Sequence, residues 1–144
     1  MVQFVSISSF RAHLALLLKV KRGVYSGVID ELCMAFKNAT IEQIRKNRDM
    51  ILLSNEVVVI KLRLPDRKQR LSKADGYRLI YMALKQLPVV VLLDIYPKRG
   101  PSQQLDIENC EINRLIQEFY TELNADILID HDINNHLKEK PKEG

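Results

Sequence analysis

Residues 73–99, KADGYRLIYMALKQLPVVVLLDIYPKR, decide how the rest of the chain reads. Two β-rich runs, from Tyr77 and from Val89, flank the turn KQLP, and apolar β-formers bounded by turn residues are the mark of paired strands. Antiparallel pairing across that turn sets Tyr77 opposite Tyr96 and Arg78 opposite Ile95. A third run, VVVIKLRL from Val57, returns through a polar loop to Tyr77, so the three form a meander. Alternation along it gives Val58, Ile60, Leu62 and Leu64 one face, and Val59, Lys61 and Arg63 the other. Lys61, Arg63, Arg78, Lys98 and Arg99 then converge on one end of the sheet, beside Tyr77 and Tyr96. Convergent cations with aromatic neighbours suit a single-stranded RNA or phosphate site.

Working outward, residues 2–7 read as a first strand, and Ser8 or Ser9 caps a helix carrying Phe10, Leu14, Leu17 and Leu18, closed by Gly23. A second helix over 26–37 buries Val28, Leu32, Cys33 and Phe36. Thr40 caps a short helix running through Arg48. After the Gly100-Pro101 turn, Ile112, Leu115, Ile116, Phe119 and Leu123 mark an amphipathic helix with Glu111, Glu118 and Glu122 on its outer face. The order of strand, helices, three strands and helix is that of one α+β domain over 1–132, with a flexible polar tail over 133–144.

Composition narrows the classes further. The 144 residues hold 47% hydrophobic and 28% charged side chains, which excludes a wholly disordered chain, a collagen-like repeat or a disulfide scaffold. Cys33 and Cys110 read as buried thiols in a reducing cytoplasm rather than a bridge. The longest apolar run, 89–93, is far short of the roughly 20 residues of a membrane helix, and FRAHLALLLKV lacks the cleavage site of a signal peptide. The net charge of +4 hides two opposite parts: 18 basic against 8 acidic residues up to Gln104, and 4 basic against 10 acidic after it. An acidic C-terminal helix lying over the basic surface would shield it. No clustered His/Cys ligand set, Gly-x-Ser-x-Gly elbow or Gly-rich phosphate loop occurs. His13, His131 and His136 read as exposed or capping, and Asp94, alone in a hydrophobic strand, calls for a cation such as Arg78.

The run KADGYRLIY, followed after a short turn by VVVLLDIYPKR, resembles the RelE-like toxins of the RelE/ParE superfamily, from bacterial type II toxin–antitoxin systems. The family pattern is a Gly, an aromatic, an Arg and a strand, then a hydrophobic strand ending in an aromatic and a Lys. The helical hairpin after the first strand fits the same plan, and the likeness spans about residues 1 to 124. What it implies is a RelE-like α+β fold: an N-terminal strand and helical hairpin, a three-strand antiparallel meander and a C-terminal helix. It also implies a cytoplasmic endoribonuclease that needs no metal or other cofactor and cuts messenger RNA on the ribosome, held inactive by a cognate antitoxin protein. By position, Arg78 and Arg99 match the family's phosphate-binding arginines, and Lys61 and Arg63 its catalytic basic residues. Lys73, Tyr77, Tyr96 and Lys98 are the implied substrate contacts. The Tyr or His that many members carry just beyond the last strand is replaced here by GPSQQLDIEN. The alternatives are a non-catalytic RNA- or partner-binding module on the same fold and a gyrase-inhibiting ParE-like toxin.

Overall fold

The computed structural model describes residues 1–46 and 49–141. It is an α+β structure around a seven-stranded mixed sheet: β1 (Gln3–Ser6), β2 (Met50–Leu53), β3 (Val57–Leu64), β4 (Tyr77–Leu84), β5 (Val89–Pro97), β6 (Ile129–Asp132) and β7 (Lys138–Lys140), in the order β2-β3-β4-β5-β1-β6-β7. β1 runs parallel to β5, and every other neighbouring pair is antiparallel. The four helices are α1 (Ser8–Leu18), α2 (Val28–Phe36), α3 (Ile41–Arg45) and α4 (Asn109–Asn124).

The meander and the first strand lie where the apolar runs put them. The sheet is wider than that reading, gaining β2 on one edge and β6 with β7 on the other. Residues 133–141, read as part of a polar tail, contribute β7 and the buried Leu137. These added strands carry little apolar pattern. β6 is IDHD and β7 is KEK, and backbone pairing holds them beside β1. Thr40 does cap α3, through a reciprocal box with Gln43, but that helix ends at Arg45 rather than continuing to Arg48, which lies outside the described residues.

One sheet face is covered by α2 and α3. Phe36 meets Phe4 at 5.1 Å and Tyr81 at 5.3 Å between ring centroids, and the Tyr81 hydroxyl donates to the Ile44 carbonyl at 2.7 Å. The other face takes α1, against β5, and α4, whose Phe119 and Leu123 lie beside Val57 and Leu84. Cys33 on α2 is half-buried, and burial pushes its thiol up to about 11; Cys110 is exposed rather than buried. Both are free thiols.

α1 and α4 are joined by carboxylates. Ile7 is the N-cap of α1 and offers no side-chain acceptor, so the first amides of the helix need partners from elsewhere. Glu122 accepts from the Ser8 N–H at 3.0 Å and Glu118 from the Ser9 N–H at 2.8 Å. Their serine hydroxyls donate to the same two side chains. Glu118 and Glu122 therefore face inward, against the outer-face reading, because the positive end of α1 supplies what a buried carboxylate requires. Glu111 stays toward the surface, where Arg114 pairs with it at 2.5 Å and also reaches the half-buried Glu118 at 3.2 Å.

A β-bulge in β5 sets the geometry of the site. Tyr81 stands opposite Leu92 but Ile80 stands opposite Asp94, so Leu93 is an extra residue. Beyond it every partner is displaced by one: Arg78 faces Tyr96, and Tyr77 faces Pro97. Asp94 and Tyr96 thereby join the sheet face of Lys61, Arg63 and Arg78.

Candidate nucleic-acid interface

Strand register arranges the basic end of the sheet in two rows on the α1/α4 face. Lys61, Ile80 and Asp94 form one row across β3, β4 and β5; Arg63, Arg78 and Tyr96 form the next. Lys98 follows just past β5. The segment after the Gly100-Pro101 turn folds back over these rows, with the Gln104 N–H donating to the Pro97 carbonyl and the Ile107 N–H to the Tyr96 hydroxyl at 3.3 Å. That fold-back delivers Asp106 to 3.2 Å from the Lys98 ammonium and 3.6 Å from that of Lys61. The hydrogen bond from Lys98, with the charges of Lys61, Lys98 and Arg78, holds the Asp106 carboxyl below its usual range. The acidic part of the chain thus does reach the basic surface, but through this loop residue and not through α4.

The eight side chains expected at the site divide by what they touch. Lys61, Arg63 and Lys98 come together on one face. Lys73 is exposed and shares a shallow hollow with Arg63, Leu62 and Glu31. Arg99 is exposed at the same end of the sheet but turns to Asp75, at 2.7 Å. Arg78 is only 6% exposed, and its terminal nitrogens donate to the carbonyls of Lys73 at 2.9 Å, Ala74 at 2.7 Å and Tyr77 at 3.1 Å. Burial, and the neighbouring charge of Arg63, press its pKa downward. Its guanidinium is a clamp on the loop that carries Lys73, where the sequence pattern read it as a direct phosphate ligand.

Neither tyrosine offers an open ring for base stacking. Tyr77 is fully buried on the opposite face, edge-on to Tyr25, with its hydroxyl donating to Asp66 at 2.8 Å. Burial and Asp66 push its pKa up. Tyr96 lies under the 105–108 segment and is buried, which raises its pKa as well. Both hold backbone in place, and Tyr81 is a core residue as its apolar neighbours imply.

Asp94 takes a partner that spacing along the chain does not reveal. Its Oδ1 lies 2.5 Å from Nδ1 of His13 on α1 and also accepts the Ile95 N–H at 2.8 Å. Asp94 is buried, while the His13 side chain is 42% exposed. The hydrogen bond to Asp94 raises the His13 pKa, opposed by burial. His131, read as exposed, is buried instead: one ring nitrogen donates to the Leu137 carbonyl at 2.8 Å, so the other accepts from the Ser6 hydroxyl at 2.6 Å. Burial lowers its pKa. His136 is exposed near Asp30, at 3.5 Å.

The two histidines should therefore titrate on opposite sides of the ordinary value, and their linkage to stability has opposite signs. The stability from the His13–Asp94 pair is fully present below pH 6.5 and is lost as pH rises through the raised folded value. That from neutral His131 is present above pH 6.5 and lost as pH falls below it, where the unfolded ring binds the proton more readily. Imidazole NMR titration is expected to place His13 above and His131 below 6.5; His13 titrating below would break the pairing argument.

Among the described residues no group of three His, Cys, Asp or Glu side chains is placed to hold a metal ion, and no helix is long and apolar enough to cross a membrane. No protein-family model, no curated protein and no solved structure matches the chain.

Proposed function

We propose that the chain is a toxin-like endoribonuclease of the RelE-like kind, which cleaves messenger RNA on the ribosome without a metal and is restrained by a cognate antitoxin. The observation that carries this reading is the set of cations Lys61, Arg63 and Lys98 at one end of the sheet, with Asp106 paired to Lys61 and Lys98. The order of a first strand, helices, the β3-β4-β5 meander and α4, to which β2, β6 and β7 are added, is compatible with it, and the motif at 73–99, in which Arg78 holds the loop bearing Lys73, supports it.

In this reading Lys61, Arg63 and Lys98 hold the phosphates around the scissile bond, with Arg99 and Lys73 along the strand's path. Arg78, Tyr77 and Tyr96 position the loop and the fold-back segment. RNA brings its own nucleophile, the 2′-hydroxyl, and fixed cations stabilise the extra negative charge that develops at phosphorus. A mobile acidic segment of an antitoxin would compete for the same cations, as Asp106 does within the chain.

Expression in a bacterial host tests this. Growth arrest with cleavage of translated messages is expected, and Lys61→Ala with Arg63→Ala should lower cleavage by about 10²-fold or more. Arg63 is exposed and, among the described residues, Lys61 pairs only with the exposed Asp106, so the variant should stay folded. Growth equal to the empty-vector control, with the folded protein present, would replace the enzyme by a non-catalytic binding module.

A further inference from the structure

We propose that His13 is the proton donor of this site, delivering a proton to the leaving 5′-oxygen as RNA is cleaved, with Asp94 as its positioning residue. The inference rests on the ribonuclease reading and supplies the acid that the segment GPSQQLDIEN lacks. Three observations converge on it. Register puts Asp94 in the same row as Lys61, two strand spacings or about 10 Å away, on the face where the cations gather. Ile80 is the residue between them in the row, so the lysine stands on one side of this stretch of the α1/α4 face and Asp94, with its imidazole partner, on the other.

Second, the dyad is oriented. Asp94 Oδ1 already accepts the Ile95 N–H, so it acts as an acceptor and Nδ1 of His13 carries the proton toward it. The other ring nitrogen, Nε2, has no protein partner among the described residues, and the side chain is half-exposed. A histidine fixed through one nitrogen by a buried carboxylate, with the second free, has the arrangement of an imidazole that transfers protons. Third, the bulge at Leu93 is what turns Asp94 to this face; unbroken alternation would set it opposite Leu79, on the face covered by α2.

The charged groups facing His13 are Asp94 from β5 and Glu111 and Arg114 from α4. The hydrogen bond to Asp94, with the charges of Asp94 and Glu111, favours the imidazolium, burial and Arg114 oppose it, and the pKa is raised. Only the imidazolium can donate the proton, and a raised pKa widens the pH range over which His13 holds it. In the reaction the 2′-oxygen bonds to phosphorus and the P–O5′ bond breaks. The Nε2 proton goes to O5′, and the 2′-hydroxyl proton is taken up by water; His13 is then reprotonated from solvent.

The experiment compares two synthetic messages on programmed ribosomes, one with the natural scissile linkage and one in which sulfur replaces the bridging 5′-oxygen. A thiolate leaves without protonation, since thiols are far stronger acids than alcohols. Wild-type protein should cleave the oxygen message with a rate that falls as pH rises through the His13 pKa, and the sulfur message without that fall. His13→Gln should slow the oxygen message about 10²-fold and cleave the sulfur message within a few-fold of wild type. Asp94→Asn should move the alkaline limb to lower pH. If the wild-type profiles for the two messages coincide, or His13→Gln slows both equally or neither, His13 is not the acid while the ribonuclease reading survives. If the wild-type protein cuts neither message, both fall.

Discussion

Gly76→Ala is expected to remove a large share of the protein's stability. A Cβ built on Gly76 would lie 2.1 Å from the Leu64 carbonyl oxygen, 2.8 Å from the Pro65 carbonyl carbon and 2.9 Å from the Asp66 nitrogen. All three are backbone atoms, so no side chain can swing away. Relief requires moving the end of β3 or the start of β4, and both are tied: Asp66 exchanges hydrogen bonds with Leu71, and the Gly76 carbonyl accepts the Lys98 N–H at 2.9 Å. Overpacking in a core usually costs about 1–3 kcal/mol, and a clash confined to backbone belongs at or above the upper end. Against a typical total stability of roughly 5–15 kcal/mol, that is a large share. Gly27→Ala is the control, because its nearest neighbours are Cγ and Cδ of the flexible Lys68, at 3.3 and 3.2 Å. Urea unfolding of the two variants should separate them widely; matching midpoints would show that Gly76 is not a contact point between strands.

The second large effect concerns salt. Binding of single-stranded RNA to the basic end should weaken steeply as salt rises, and each lysine removed from a phosphate contact should lessen the slope of log K against log salt by about 0.7. Lys61→Ala with Lys98→Ala is therefore expected to flatten it by about 1.4. Asp106→Asn should do the opposite at low salt, releasing both ammonium groups at once, with the gain fading as screening grows. Titrations of wild type, the double variant and Asp106→Asn across a salt series decide the matter. Parallel lines for all three would mean that RNA binds elsewhere or not at all. The buried Tyr77 and Tyr96 imply that this binding carries little preference from stacking on their rings.

What the sequence revealed, and what it hid, follows from the range of the forces involved. The meander, α2 and the core of α4 are written in local periodicity, and the basic residues of the last strands announce themselves by charge. Counting across an unbroken KQLP hairpin, however, puts Arg78 opposite Ile95. The observed partner is Tyr96 because of one extra residue at Leu93, and nothing in VVVLLDIYP marks which position will bulge. The same shift hid the His13–Asp94 pair, whose members are 81 residues apart. β6 and β7 were illegible for a different reason: short polar strands near the sheet edge are held by their neighbours' backbone and by His131 between Ser6 and Leu137, none of which leaves an apolar pattern. Glu118 and Glu122 followed the helical period of an outer face and were drawn inward by the unsatisfied amides of another helix.

That last arrangement bears on when the protein becomes competent during its synthesis. The amides opening α1 find their acceptors 109 and 114 residues later, and β1 pairs with segments from the last two-fifths of the chain. A nascent chain that has not yet produced α4 holds His13 on a helix without its cap and beside a sheet lacking β6. Synthesis must therefore run through β6, to Asp132, before the cap of α1 and the sheet beside His13 are complete. In the ribonuclease reading proposed above, completion of this C-terminal part, rather than emergence of the cationic strands, is the moment at which the molecule would gain its activity and at which an inhibitor would have to be waiting.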